Sequence, residues 1–237
     1  MAASTRLRLD DPAAAGALAA RIRALVPAAA SVSAEVAEIV GAVRDGGDAA
    51  LAGFAERLDG VSRPLRATSE ELAAALAELD PAVRAALELA IANVGAVARA
   101  GVRDAIDVEL PQGQVVRLRE VPVRRAAIYV PGGRAPYPSS VVMGVVTAQA
   151  AGVDEVVVCA PGGHPVILAA CALCGVDEVY RVGGAHAIAA LAFGTAAIAR
   201  VDVIAGPGNL WVQEAKRQVS GAVGIDATRS RARPIDT

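Results

Sequence analysis

The chain has 237 residues, 54% of them hydrophobic and 3% aromatic, with a formal net charge of −2 and a pI near 5.8. A core of Val, Leu, Ile and Ala suits helices packed on a parallel sheet better than an aromatic-rich sandwich. The charge balance offers no basic field for a phosphate backbone, so no nucleic-acid partner is expected. Three cysteines, an odd number, make no disulfide framework and point to a reducing, cytoplasmic setting. No export signal is read at the amino end, and the longest uncharged apolar stretch, 185–199, is too short for a membrane span.

Residues 1–30 read as an alanine-rich arm with a weakly patterned helix over 13–25. Val36, Ile39, Val40 and Val43 then form a helical stripe, with Ser33 placed to cap it. Gly46-Gly47 breaks that run, and Asp48 opens a second helix carrying Leu51, Phe54, Ala55 and Leu58. Thr68 and Glu71 have the capping-box spacing ahead of a helix over 72–79. Asp80-Pro81 supplies an N-cap with proline in the first turn of a helix reaching about Ala100. Two short alternating segments around Pro111-Gln112-Gly113 read as paired strands.

Beyond Arg125 a rhythm sets in. Strands are expected over 126–130, 155–159, 178–182 and 201–205. They run into Gly132-Gly133, Pro161-Gly162-Gly163, Gly183-Gly184 and Gly206-Pro207-Gly208-Asn209. Helices follow from about Ser139, Pro165 and Ala185, and a last one extends to about Val219. Four strand–glycine–helix units describe a parallel α/β sheet with crossover helices. In such a sheet every strand's carboxyl end faces one edge, so all four turns should line one crevice, each beside a helix N-terminus that favours an anion. Glycines such as Gly132 and Gly133 let the backbone approach a ligand. Tight strand-to-helix linkage is the plainer role for any single turn. Neither G-x-G-x-x-G nor a P-loop is present.

The segments "YVPGG", "YPSSVVM", "GVDEVYRVGGAHAIAALAFGT" and "VDVIAGPGNLWVQEAKRQVSGAVGID", in that order, resemble the histidinol dehydrogenase family. So do "IVGAVRDGGDAALAGFAERLDG" and "LDPAVRAALELAI" in the helical part, and the resemblance covers about residues 33–226. It implies a zinc-containing, homodimeric enzyme that uses NAD to oxidise L-histidinol through L-histidinal to L-histidine. Its fold would pair two incomplete Rossmann-like domains, as in the histidinol/aldehyde dehydrogenase-like architecture. Residues 31–125 would then belong to a first, incomplete domain, 126–226 to a Rossmann-like NAD-binding domain, and 227–237 to a tail without family likeness.

The family's NAD-contacting tyrosine, glutamine and asparagine fall on Tyr129, His186 and Asn209, so the second position departs from the pattern. A phenol at a strand end can hydrogen-bond a ribose or a phosphate, and Asn209 also stands where a helix N-cap belongs. The family's Glu-His catalytic pair, its Gln, Asp and His zinc ligands and its Gly-Pro-Ser-Glu motif find no counterpart. Here "GID" runs into "ATRSRARPIDT", with Arg229, Arg231 and Arg233. The expectation is a truncated member, inactive alone, with no catalytic and no metal-binding residues of its own. Unfinished pairing should also leave apolar helix faces such as Val36/Ile39/Val40/Val43 exposed. Cys171-Ala-Leu-Cys174 has metal-like spacing but reads as two small buried residues on an alanine-rich helix. The rival readings are a non-catalytic nucleotide-binding protein, a dehydrogenase of another hydroxyl substrate such as a sulfonated diol, and a basic tail that meets an acidic partner.

Overall fold

The structure is a computed structural model and describes residues 11–24, 29–61, 64–132 and 135–226. Gly133, the first ten residues of the arm and the tail with its three arginines lie outside the described residues. The chain opens with α1 (Ala15–Ala24) and α2 (Ser33–Phe54). Gly47, at φ 55° and ψ −136°, kinks α2 where the glycine pair predicts a break. A wider π-type turn, Ala55–Asp59, follows and ends at left-handed Gly60. α3 (Ser69–Ala77) carries the full capping box between Thr68 and Glu71. In α4 (Pro81–Gly101) Asp80 accepts from the amides of Ala82 and Val83.

Ser33 is not the cap of α2. It is the first helical residue, and its hydroxyl donates instead to Glu214 Oε1 at 2.8 Å. The strands β1 (Ile106–Glu109) and β2 (Val115–Leu118) pair antiparallel around the Pro111-Gln112-Gly113 turn and are exposed along their whole length.

Then comes the sheet. It consists of β3 (Arg125–Tyr129), β4 (Glu155–Cys159), β5 (Val179–Tyr180), β6 (Val203–Ala205) and β7 (Gly224–Ile225). All pairings within it are parallel, in the order β5-β4-β3-β6-β7. The connecting helices are α5 (Pro138–Ala150), α6 (Pro165–Leu173), α7 (Gly184–Phe193) and α8 (Leu210–Val219). β5 and β6 are shorter than the apolar runs suggest, and β7 is a two-residue strand that the sequence does not announce.

The period-two alternation of β3 divides the core. Ala127 and Tyr129 join a cluster built with α2, α7 and α8, whereas Ile128 and Val130 join one built with α3, α4, α5 and α6. Here an expectation fails. Val36, Val40 and Val43 are buried, packed with Ile188 and Leu191 in the core that α2 shares with α7. Local periodicity shows that a helix face is apolar but not what covers it, and the cover comes from about 150 residues later in the chain. The exposed large apolar residues lie elsewhere, at Ile106, Val115 and Leu118 of the hairpin and at Leu89 and Val97 of α4. α4 is apolar and long enough to cross a membrane by composition alone, but it packs on α5.

Candidate functional site

Chain connections leave β3 in one direction towards β4 and β5, and the chain then returns to β6 on β3's other side. That reversal is the topological switch point of a doubly wound sheet, the place where such folds open a crevice. A cavity of about 820 Å³ lies there, within the range of small-molecule and cofactor sites. All four turns reach it, through Gly132, Pro161–His164 with Gly162 and Gly163, Gly184–His186 and Asn209. Ile39, Leu58 and Trp211 supply apolar wall. Tyr129, Gly132, His186 and Asn209, four of the five residues singled out from sequence, thus share one cavity.

Close backbone approach explains the glycines. A Cβ on Gly206, which has φ 120°, would lie 2.1 Å from the carbonyl oxygen of Tyr129, and one on Gly183 would lie 2.2 Å from Pro161 Cγ. The Gly206 turn is also held from below. Lys216, fully buried, donates to the Gly206 carbonyl at 2.6 Å and to Asp226 Oδ1 at 2.7 Å, while Asp226 Oδ2 accepts the Gly206 amide at 2.8 Å.

Tyr129 ends β3, and its hydroxyl accepts the Gly184 amide at 3.0 Å, which leaves its own O–H free to donate. Burial pushes the phenol up to about 12 against the opposing pull of that hydrogen bond, with Cys159 and Asp59 adding to the rise. It stays a neutral donor at physiological pH. Asn209 does cap α8, accepting the Val212 amide at 3.1 Å, and lines the cavity as well. His164 caps α6 in the same way, its Nδ1 accepting the Val166 amide at 3.3 Å.

His186 sits in the first turn of α7, 1% exposed, its ring stacked on Phe54 at 5.9 Å with Arg57 over the phenyl ring at 4.7 Å. Its Nε2 lies 2.9 Å from Asp59 Oδ2, which also accepts the Gly183 amide at 2.8 Å. A carboxylate only accepts, so Nε2 carries the hydrogen. Nδ1 is buried and has no partner. Sequence reasoning missed Asp59: it ends a π-type turn 127 residues from His186 and belongs to no motif. The unusual histidine was the one available signal that a partner exists.

Among the described residues no three His, Cys, Asp or Glu side chains converge on a point that would hold a metal. The donors present therefore do not fit the zinc implied by the resemblance. Cys171 and Cys174 are buried, free thiols, raised by that burial, Cys174 to about 11. Both thiols are therefore protonated at neutral pH.

Sheet order and crevice define a doubly wound, Rossmann-like α/β fold. The family model described as histidinol dehydrogenase matches residues 26–231, and the chain belongs to that family. It is 50% identical over 201 residues to a histidinol dehydrogenase of Streptomyces avermitilis, a match covering 81% of this chain and 46% of that one. With the enzyme of Thermobifida fusca it shares 50% over 214 residues, covering 86% and 48% of the two chains. The crystal structure of histidinol dehydrogenase from Elizabethkingia anophelis superposes with a TM-score of 0.80 at 29% identity, over 84% of this chain and 48% of that one. The chain spans about half the length of the curated relatives it matches.

Proposed function

We propose that this chain carries the coenzyme-binding crevice of an NAD-dependent oxidation of L-histidinol through L-histidinal to L-histidine, the last steps of histidine biosynthesis. One observation carries the reading: four glycine turns of a family sequence converge on one cavity at the switch point of the sheet. NAD would supply the hydride acceptor. The chain's own groups bind and orient. The Tyr129 hydroxyl donates to a ribose or phosphate oxygen, and the turn after β3 admits the coenzyme backbone at Gly132. The first-turn amides of α7 face its negative charge, and Asn209 holds the N-terminus of α8 beside it. Trp211, Ile39 and Leu58 exclude water from one wall.

The reading extends to a cytoplasmic homodimer that acts on a small molecule, with neither nucleic acid nor membrane as partner. Among the described residues no three His, Cys, Asp or Glu side chains converge as zinc donors would, and the hydride-transfer steps are assigned to groups outside those residues. That favours a second reading, nucleotide binding without catalysis by this polypeptide alone. Calorimetric titration with NAD, followed by an assay of NADH formation from histidinol with added zinc, tests both. Binding without turnover is the expected result. Turnover by the purified chain would overturn the assignment of chemistry to other groups, and absence of NAD binding would remove the coenzyme reading itself.

A further inference from the structure

Uncovered apolar side chains concentrate on one stretch of the chain. Apart from Ile22, Leu58, Tyr137 and Met143, every large hydrophobic residue exposed among the described residues falls between Val83 and Val121. That stretch holds α4, the β1–β2 hairpin and the links beside them. The hairpin sorts its side chains by face. Residues directly opposite each other in an antiparallel pair share a face, and the faces alternate along each strand. Ile106 pairs with Leu118 and Val108 with Val116, so these four make one apolar face. Asp107 pairs with Arg117 and Glu109 with Val115 on the other. There the Arg117 guanidinium donates from Nε and Nη2 to the two Asp107 oxygens, each at 2.7 Å. The polar face is complete in water. The apolar face has the pattern of a sheet half packed on a core, yet Ile106 and Leu118 are each 56% exposed.

A lone pair of short strands is marginal in water; further strands over a shared apolar face, or a packed helix, give it independent stability. Both strands are exposed along their whole length, so nothing among the described residues supplies that cover. The charges say how a cover approaches. β1 holds Asp107 and Glu109 and no base, whereas β2 holds Arg117, with Arg119 directly after it, and no acid. Edge-to-edge growth with an identical hairpin sets acid beside acid at β1 or arginine beside arginine at β2, the way native sheets guard their edges. A face-to-face approach escapes this. In a two-fold pair with its axis along the strands, β1 of one copy lies over β2 of its partner. Each acidic strand then meets a basic one while the apolar faces close between them. A partner surface of one sign satisfies only one of the two strands.

We infer that the apolar face of the β1–β2 hairpin packs on the same face of a second copy of this chain, β1 over the partner's β2, with the Asp107–Arg117 pairs turned outward. The hairpin faces form the centre of the contact. An interface of standard size takes about 800 Å² from each partner. Leu89 and Val97 of α4, the helix that leads into the hairpin, are exposed at 63% and 76% and are the apolar surface available to complete it. The inference rests on the reading above for the homodimer and names its surface; it is independent of the coenzyme crevice, whose lining includes no residue of the hairpin.

The test is sedimentation velocity of the full chain over a dilution series, with NAD titrated in parallel. Wild type should be a dimer that dissociates on dilution. Val116→Glu, on the apolar face, should raise the dissociation constant about thirtyfold or more. Val115→Glu, one residue away on the polar face, should leave it unchanged. Both positions are exposed, so circular dichroism should show both variants folded. Should Val116→Glu fail to fold, hydrogen exchange of the wild type decides in its place: the ladder amides of β1 and β2 should exchange more slowly as concentration rises, and exchange independent of concentration would overturn the inference. A dimer that both substitutions break, or that neither breaks, would overturn the hairpin face and leave the homodimer standing. A monomer at every concentration would overturn surface and homodimer together, whether the rest of a longer chain or a lipid surface covers the hairpin instead. NAD binding by that monomer would leave the coenzyme reading intact.

Discussion

The two rims of the sheet are built on opposite principles. At the amino rim charges from neighbouring strands neutralise each other. Arg125, at the start of β3, donates to Glu155 at 2.6 Å and to Glu178, and its backbone amide bonds Asp202 Oδ2 at 2.9 Å. At the carboxyl rim glycine turns, helix amides and one imidazole nitrogen face a cavity, and the single carboxylate among its lining residues is spent on holding them in place. One rim is closed on itself and fixes register; the other keeps directional donors without partners. A sheet of this kind can be stiff and receptive at once because the two demands fall on opposite ends of the same strands.

Substitutions separate the rims. The largest effect is expected at Gly206→Val, which combines an unfavourable φ with a Cβ 2.1 Å from Tyr129 O. It should cost about 3 kcal/mol or more, read as a lowered urea midpoint, and should abolish NAD binding by whatever remains folded. Arg125→Leu should come next, at about 2–3 kcal/mol, because it leaves Glu178 half-buried without its countercharge. The folded fraction of that variant should bind NAD as wild type does. A loss of binding equal to that of Gly206→Val would break the contrast between the rims.

Away from both rims, Glu214 is held down to about 2, chiefly by the Arg217 guanidinium against the cost of burial, with Gln218 and Ser33 assisting. Its folded value lies below its unfolded one of about 4.3. The stabilisation is therefore complete above that pH and fades as pH falls towards about 2. Glu214→Gln should cost about 1–2 kcal/mol at neutral pH. Its urea midpoint should approach that of wild type on acidification from pH 5 to 2. The smallest effect is expected at Asn209→Ala, where the lost cap of α8 costs about 1 kcal/mol. Melting temperature should drop by about 2–4 °C, and NAD affinity should weaken several-fold with it.

Much of the fold is legible in local pattern. The β4 limits, the capping box of α3, the Asp80 cap of α4, the kink at Gly47 and the meeting of four turns on one edge all follow from short-range chemistry. What escaped depends on distant contacts. Ser33 bonds a residue 181 positions away instead of capping its own helix. The α2 stripe meets its cover in α7, and Asp59 finds His186 across the cavity wall. β7 is two residues long and owes its existence to pairing with β6, not to any propensity of Gly-Ile. That Tyr129, Gly132, His186 and Asn209 would share one cavity was readable because turns mark them, whereas the contact of His186 with Asp59 was not, because it joins residues 127 positions apart.

The clamp on Gly206 has a temporal consequence. The fourth turn of the rim is tied to Asp226, twenty positions further along, through Lys216 and the Gly206 amide. During synthesis the nascent polypeptide exposes the first three turns well before that tether leaves the ribosome. The cavity at that rim is therefore complete only after β7 has emerged and docked, which makes the closing strand, rather than the glycines themselves, the step that finishes the crevice.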